Sequence, residues 1–323
     1  MKFKVTKRGV VFDPAKYLGS PDWMIDFAQA PNSMILEDRV RVYFCTRGKP
    51  DSNYQYVSQL AYVDLDKDNL TKIIGISDSP CIDLGGLGEF DQFGIYPASI
   101  LKTKNDIIAA YGGWTRCTSV PFNVSIGMAK STDGGKSFQK IGRGPVLSPH
   151  LNEPFVISSP KLRFYNGRYV LSYISGVKWI KDDNGRPEII YKLRIAFSDD
   201  LVNWERLGRN IIEDRLGENE AQACPDIIYK EGMYHMFYCY RDALDFRDNP
   251  NNSYRIGYAT SHNLREWQRD DEKISDLHHS ETGWDSKMVS YPHALEMNGK
   301  SFLLYGGNGN GKTGIGLAEI EGF

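Results

Sequence analysis

The chain has 323 residues and a mass of 36.6 kDa, long enough for two average domains or for one large all-β domain. Its 39 Lys and Arg nearly balance its 41 Asp and Glu, which argues against nucleic acid or a charged membrane surface as a partner. Aromatic residues make up 12% of the chain, and 31 Gly separate many short apolar runs, a composition typical of β-rich proteins.

The N-terminal segment, MKFKVTKRGVVFDP, is basic but lacks the apolar run of a secretion signal. No later segment approaches the roughly 20 apolar residues that span a membrane. We therefore predict a cytoplasmic protein with no membrane partner. The five cysteines are odd in number and show no C-x-x-C spacing, so we expect neither a disulfide framework nor a zinc knuckle. No metal site is visible from residue spacing, and we expect no cofactor.

One pattern repeats five times along the chain. In each copy a proline lies at the start of an apolar strand, a turn follows, and a second strand rich in aromatic residues comes next. The prolines are at positions 31, 97, 160, 225 and 292, so successive copies are 66, 63, 65 and 67 residues apart. A unit of about 65 residues that contains several short strands predicts a β-propeller.

Each unit continues through a polar loop into a third strand and a turn signature that precedes a fourth. The signatures are KSTDGGKSFQKIGRG (130–144), FSDDLVNWERLGR (197–209) and TSHNLREWQRD (260–270), which we interpret as hairpin turns. The last unit ends after its third strand, and the N-terminal FKVTKRGVVF is similar to the fourth-strand copies. We predict an all-β, five-bladed β-propeller that spans residues 1–323 as a single domain. It has four antiparallel strands per blade, and the N-terminal strand completes the last blade.

The stretch GGNGNGKT (306–313) satisfies the G-x-x-x-x-G-K-[ST] pattern of a phosphate-binding P-loop. In the predicted propeller it joins the second and third strands of blade five, and the following GIGLAEI alternates like a strand. A P-loop needs a helix at that point, so we reject a nucleotide site. We interpret the glycines as a tight loop over a central pocket, where Asn308 and Asn310 offer amides and Lys312 a charge.

The segments before the repeated prolines converge on the mouth of the central funnel, and every blade supplies a carboxylate there. The loops between second and third strands open on the same face. Sugars suit such a site because their hydroxyls bind charged groups and their C–H faces pack on aromatic rings. Glycosidic cleavage also needs two carboxyl groups that flank the bond.

This layout resembles the five-bladed propeller glycosidases of glycoside hydrolase families 43, 32, 68, 117 and 130, over the whole chain. The EAQACPD run (220–226) is similar to the E-C-P motif of the invertase-like members, and WDSKMVSYP around Asp285 is similar to the last blade of the mannoside phosphorylases. The resemblance implies a blade-one Asp as base or nucleophile and a blade-four Glu as acid. Ala30 and Ser159 stand where D-P pairs are usual, which indicates a divergent branch.

We therefore predict Asp26 and Glu220 as the catalytic pair, with Glu153 in support. Glu218 and Glu220 would lie on one face of an extended segment, and their proximity would raise one pKa. The predicted substrate-binding residues are Asp91, Asp285, Arg47, Tyr96, Trp114, Glu218, Arg241, Tyr291, His293 and Asn308.

A glycoside hydrolase acting on a carbohydrate is the leading functional hypothesis, and two alternatives stay open. The first is a glycoside phosphorylase or glycosyl transferase, whose anion cradle would use Arg47, Lys178, Arg241, His293, Lys287 and Lys312. The second is a sugar-binding propeller without catalytic activity, which predicts binding without turnover.

Overall fold

The computed structural model describes residues 2–323 and contains five four-stranded antiparallel sheets. Blades one to four each use consecutive strands, and blade five combines strands from both ends of the chain. From first to fourth, the strands of each blade are: in blade one, β2 Asp26–Ile35, β3 Arg39–Arg47, β4 Ser58–Asp66 and β5 Ile73–Ile76; in blade two, β6 Ile95–Lys102, β7 Ile107–Arg116, β8 Phe122–Ser131 and β9 Gln139–Lys140; in blade three, β10 Ile157–Tyr165, β11 Arg168–Lys181, β12 Pro187–Ser198 and β13 Glu205–Arg206; in blade four, β14 Glu220–Lys230, β15 Met233–Asp242, β16 Arg255–Ser261 and β17 Gln268–Arg269; and in blade five, β18 Ser290–Met297, β19 Lys300–Gly306, β20 Ile315–Glu321 and β1 Lys4–Phe12.

Strand β1 closes the ring, as predicted. It pairs antiparallel with β20, with Val5 opposite Ile320 and Val10 opposite Gly316, and the sheet order in blade five is β1-β20-β19-β18. The N-terminal segment therefore occupies the outer, fourth-strand position of that blade. Closure pairs an edge of β20 that would otherwise remain open. The predicted five-bladed propeller is confirmed.

Each repeated proline marks an irregularity in the first strand of its blade. The register with the second strand shifts at all five positions, as between Gln29 and Asn32 in blade one and between Ser158 and Lys161 in blade three. In four blades the residue before the proline has a left-handed backbone conformation: Ala30, Ser159, Cys224 and Tyr291. Such bulges bend a strand and re-aim its side chains. The sequence repeat is thus a repeated backbone bend beside the propeller axis.

The recurring turn signatures are hairpin turns, as predicted. The Asp133 carboxylate accepts backbone N–H bonds from Lys136 and Ser137 at 2.9 and 3.0 Å. Asp200 and Asn263 hold the same turns in blades three and four. These side chains serve their own backbone, because short polar side chains mimic a turn hydrogen bond.

The glycine-rich stretch joins β19 to β20, which confirms the predicted loop. It forms a single turn, Asn308–Gly311, in which Gly309 and Asn310 are left-handed. Gly311 lies against β2 of blade one, where a Cβ atom would meet the Ala28 carbonyl oxygen at 2.4 Å. Only glycine allows this approach, so the loop of blade five rests on blade one at the cavity mouth.

The apolar core lies between neighbouring blades. The largest buried cluster includes Tyr238, Phe237 and Tyr258 of blade four together with Leu303 and Tyr305 of blade five. Cys45 and Cys239 are buried free thiols, as their apolar strand context predicted. The described part of the chain contains no helix with the length and apolar character that would let it cross a membrane.

Candidate active site

A cavity of about 470 Å³ opens on the propeller axis, at the face where the second-to-third-strand loops converge. This volume lies within the range of about 300–1,000 Å³ that is usual for small-molecule sites. Five predicted binding residues line it together, and they come from four blades: Arg47, Tyr96, Trp114, Arg241 and Tyr291. The predicted lining of a central pocket is therefore observed for these five side chains, all of which lie within strands.

Aromatic rings form one wall of the cavity. The Trp114 and Phe122 ring centroids are 4.2 Å apart, and the Trp114 indole N–H donates to the Tyr96 carbonyl oxygen at 2.7 Å. Tyr96 in turn packs edge-on against Tyr291, with centroids 6.4 Å apart. Burial raises the pKa of both tyrosines well above the ordinary value, so both phenols are neutral. The wall offers flat apolar faces with polar edges, which is what a sugar ring packs against.

Cationic side chains are the second feature of the lining. They number five, from blades one, three, four and five: Arg47, Arg186, Arg241, Arg247 and Lys312. Within residues 2–323, no Asp or Glu side chain is among those that line the cavity. Two carboxylates lie just behind the cations and pair with them. Glu188 pairs with Arg247 and, at 3.5 Å, with Arg186, and Asp26 lies 3.7 Å from the Lys312 ammonium. Positive charge is therefore in excess.

Asp26 is the predicted catalytic carboxylate that contacts residues of the cavity lining. It begins β2, its side chain is 19% exposed, and its neighbour Phe27 lines the pocket. Its Oδ1 atom accepts a hydrogen bond from the Phe27 backbone N–H at 3.2 Å. The Phe27 ring also packs under Arg47, at 4.4 Å, and near Lys312, at 5.8 Å. Asp26 therefore lies within a small group formed by blades one and five.

Three other predicted carboxylates belong to a repeated structural contact, which we call the carboxylate brace. In each brace a carboxylate before the first strand accepts a hydrogen bond from a second-strand tyrosine and pairs with a fourth-strand cation. The braces are Asp91–Tyr111–Lys140, Glu153–Tyr173–Arg206 and Asp285–Tyr305–Lys7, with tyrosine contacts of 3.0, 2.9 and 3.0 Å and an ion-pair distance of 2.7 Å in each. The fourth strand is the outermost in a blade. Braces therefore point away from the axis, and their carboxylates do not line the cavity.

Glu220 occupies the corresponding place in blade four. It is buried, pairs with Arg269 at 2.7 Å and accepts the Arg215 and Leu216 backbone N–H groups. Burial raises the pKa of Glu220, but Arg269 and Gln222 outweigh this effect, so that the pKa lies below its ordinary value. An acid that donates a proton at neutral pH needs a raised pKa. Glu220 is not among the residues that line the cavity.

The expectation that Glu218 and Glu220 share one face is wrong. Residues 218 and 219 form a turn, closed by the Glu220 backbone N–H bond to the Gly217 carbonyl oxygen at 3.1 Å, and β14 begins only at Glu220. Glu218 is consequently exposed while Glu220 is buried. The alternation of an extended strand does not apply to a turn, so the pair cannot tune one pKa as predicted.

His293 lies on the axis among buried polar groups that do not line the cavity. The Ser33 backbone N–H donates to its Nε2 atom at 2.8 Å, so the ring proton is on Nδ1, which lies 2.9 Å from the Asp226 carboxylate. Burial lowers the pKa of His293 to about 4, although Asp226 acts to raise it. Lys161 and Asn32 complete this group. Its members directly follow the repeated prolines and tie the first strands together.

Asn308 supports a loop instead of lining the cavity. Its side-chain oxygen accepts the Lys287 and Met288 backbone N–H groups at 2.7 and 3.1 Å, and its amide donates to the Gly283 carbonyl oxygen. The residues of the glycine-rich loop that line the cavity are Gly309, Asn310 and Lys312. The loop thus has its predicted place, and of the three side chains expected at the pocket Asn310 and Lys312 line it, whereas Asn308 does not.

Several lining residues were missed from the sequence, notably Arg186 and Arg247. Arg186 lies in the turn that joins the long strands β11 and β12, and Arg247 follows Arg241 by six residues in the loop after β15. The FYCYRDALDFRD context of Arg247 was a usable signal, because it continues a loop already assigned to the cavity face. In the described part of the chain, no three His, Cys, Asp or Glu side chains gather as a metal site.

Comparison with known sequences identifies two relatives, both from Mycobacterium tuberculosis. They are the uncharacterized proteins MT1551, of strain CDC 1551 / Oshkosh, and Rv1502, of strain ATCC 25618 / H37Rv. Each is 32% identical to this chain over 316 residues, and the match covers 98% of both proteins. No protein-family model matches the chain.

Solved structures with this fold include several glycoside hydrolases. One described simply as a glycoside hydrolase has a TM-score of 0.73 at 14% identity, and the match covers 97% of this chain and 90% of the other. A thermostable family-43 glycoside hydrolase has a TM-score of 0.62 at 15% sequence identity, and the match covers 93% of this chain and 91% of the other. A third structure comes from the GH130 family of mannoside phosphorylases, which contains glycoside hydrolases that target β-1,2 mannosidic linkages in Candida mannan. Its TM-score is 0.68 at 17% sequence identity, and the match covers 92% of this chain and 85% of the other. The likeness confirms the predicted propeller fold.

Proposed function

Because this chain belongs to the family of the mycobacterial proteins MT1551 and Rv1502 and has the five-bladed fold found in glycoside hydrolases, we propose that it is a carbohydrate-active enzyme. It binds a sugar in the central cavity and cleaves a glycosidic bond there. The observation that carries this proposal is the combination of an aromatic wall around Trp114 with a carboxylate, Asp26, that contacts the lining residues Phe27 and Lys312 of the same cavity. Fold alone does not assign an activity.

Asp26 is the proposed acid–base or nucleophilic group. It lies at the start of the innermost strand of blade one, next to the cavity-lining Phe27 and 3.7 Å from the Lys312 ammonium. Glu220 and Glu153 are held in buried ion pairs near the fourth strands. Their predicted catalytic roles stay predictions, and the geometry gives them less support than it gives Asp26.

Transfer to phosphate is a second candidate function, favoured by the cations beside Asp26. Two-carboxylate hydrolysis needs a second carboxyl group about 5–9.5 Å from the first. A phosphorylase uses phosphate instead of activated water, so an anion site takes the place of the second carboxylate. Arg47 and Lys312 both lie over the ring of Phe27, the residue that follows Asp26, and are suitably charged for that site.

The test compares wild type, Asp26→Asn and the matched control Asp22→Asn, an exposed aspartate in the preceding loop. Each protein is assayed against aryl glycosides and oligosaccharides, with and without inorganic phosphate. We expect Asp26→Asn to lose at least about a hundredfold in kcat at unchanged melting temperature, since a positioned acid or base contributes about 10²–10⁴. Turnover that requires phosphate assigns the second candidate. Sugars that raise the melting temperature of wild type without being cleaved would instead indicate a binding propeller.

A further inference from the structure

Arg241 is the most buried cation of the cavity lining. It lies near the end of β15 and is 1% exposed, yet it contributes to the cavity surface. Its guanidinium lies 3.5 Å above the Phe246 ring, and the Tyr254 and Tyr191 rings are 5.3 and 5.6 Å away. Aromatic faces stabilise a cation, but they hold it in place without neutralising its charge.

The guanidinium of Arg241 is incompletely paired. Nη1 donates to the Asp242 carbonyl oxygen at 2.8 Å and Nη2 to the Tyr191 hydroxyl at 3.2 Å, whereas the buried Nε has no partner. Within residues 2–323, no carboxylate forms an ion pair with this side chain. Burial raises the pKa of Tyr254 well above its ordinary value, so that phenol supplies no negative charge. An arginine stays protonated under these conditions, and the site therefore holds an uncompensated positive charge.

The other two fully buried arginines differ from Arg241 in having a carboxylate nearby. Arg41 and Arg194 are 3% and 4% exposed, and each faces a carboxylate: Arg41 lies 2.8 Å from Asp64, and Arg194 lies 3.6 Å from Glu153. A buried charge without a counter-ion is destabilising. Arg241 combines an unpaired Nε with a place in the lining of a cavity large enough for a ligand, which distinguishes it from the structural arginines.

We propose that Arg241 binds an anionic substituent carried by the sugar itself, so that the substrate is an acidic or phosphorylated glycan. This inference rests on the proposed function. The shared chemistry is an oxyanion, either the carboxylate of a uronic acid or a phosphate ester. Such a group accepts parallel N–H bonds from the Nε and Nη atoms of one guanidinium. The sugar ring then packs against the aromatic wall.

The position of Arg241 separates this anion from the reacting bond. Its side-chain neighbours Tyr191, Phe246 and Tyr254 belong to blades three and four, whereas Asp26 contacts Lys312 of blade five and Phe27 of blade one. Within residues 2–323, no hydrogen bond, ion pair or ring contact directly joins the Arg241 and Asp26 side chains. An anion at Arg241 therefore identifies the substrate, while an attacking phosphate would bind beside Asp26 with Arg47 and Lys312.

The experiment measures dissociation constants for pairs of sugars that differ in charge alone. Methyl glucuronide, galacturonide and mannuronide are compared with the neutral methyl glycosides, and the sugar 1-phosphates with the free sugars, by calorimetry with wild-type protein. We expect at least one charged sugar to bind ten- to a hundredfold more tightly than its neutral partner, the range for a buried charged hydrogen bond. The uronide and phosphate series distinguish the two sources of the oxyanion.

Arg241→Met should abolish that preference, whereas Arg241→Lys should retain part of it. The matched control is Arg143→Gln, an arginine 88% exposed that pairs with Glu89 outside the cavity. If Arg241→Met does not fold, the wild-type charge preference and its reduction in Arg241→Lys still decide the question.

Three results overturn the inference. Equal affinity of charged and neutral sugars would remove it while leaving cleavage at Asp26 intact. Inorganic phosphate that binds as tightly as the best charged sugar, with binding lost in Arg241→Met, would assign the site to a co-substrate. Absence of binding by every sugar in both series would overturn the inference and the proposed function together.

Discussion

The Arg269 guanidinium donates a hydrogen bond to the Glu220 carboxylate at 2.7 Å. Arg269 lies in β17, the fourth strand of blade four, and neither residue lines the cavity. Both side chains are buried, and Arg269 also pairs with Asp271 at 2.8 Å. The carboxylate that the E-C-P resemblance selects as an acid is thus part of an ion-pair network. In blades two, three and five, carboxylate braces fill the same position. This ion pair supports a role for Glu220 in the stability of the fold over a role in catalysis.

We expect Glu220→Gln to lower the free energy of unfolding by about 3 kcal/mol, the usual cost of removing one partner of a buried ion pair. Denaturant unfolding measures the change. The control is Glu218→Gln, two residues earlier and exposed, for which we expect a change within about 0.5 kcal/mol. A Glu220→Gln protein with wild-type stability and no turnover would instead support the catalytic role predicted from sequence.

Stability should fall as the pH is lowered from 7 to 5, and His293 should be one cause. The folded-state pKa of His293 is lowered to about 4, against about 6.5 in the unfolded chain. Between these values the unfolded state binds more protons, so stability present above pH 6.5 is lost as the pH falls towards 4. The contribution amounts to about 2 kcal/mol between pH 7 and pH 5.

The measurement is the melting temperature of wild type and of His293→Gln over this pH range. The variant should show a shallower pH dependence, because the titrating group is gone. His235 and His279 also have lowered pKa values and leave a residual slope in both proteins. The exposed His262 provides a control, and His262→Gln should follow the wild-type curve. Parallel curves for wild type and His293→Gln would contradict the assignment.

The contact between the glycine-rich loop and blade one can be tested with two glycines of matched backbone conformation. Gly311 has φ +84 and a Cβ position 2.4 Å from the Ala28 carbonyl oxygen, whereas Gly322 has φ +82 and no atom within 4 Å. Gly322→Ala should cost about 1 kcal/mol for left-handed backbone alone. Gly311→Ala should cost about 1–3 kcal/mol more, the usual range for overpacking.

Gly311→Ala should also weaken sugar binding, because Asn310 and Lys312 line the cavity on either side of it. Thermal unfolding gives the stability difference, and calorimetry with the best sugar gives the affinity. Equal stability losses in the two variants would show that the close approach to Ala28 has no energetic weight.

Much of the fold was predictable because its signals are local. Each proline lies at a bulge that involves only a few neighbouring residues, and the turn signatures close through hydrogen bonds between residues two to four positions apart, as between Asp133 and Lys136. The closure by β1 was visible because a fourth strand was missing from the last unit. One structural signal was overlooked. The brace tyrosines follow their carboxylates by 20 residues in three blades, as with Asp91 and Tyr111.

The sequence by itself determined the five-fold repeat, the order of strands and the face on which the cavity opens, because each depends on spacing along the chain. Only the tertiary structure decided which polar side chains face that cavity. Asp285 points outward because Lys7, 278 residues away, pairs with it. Arg241 has no carboxylate partner within residues 2–323 because the packed blades surround it with aromatic rings. A carboxylate or guanidinium turns towards the nearest opposite charge in space, and that neighbour is fixed only when the blades pack around one axis.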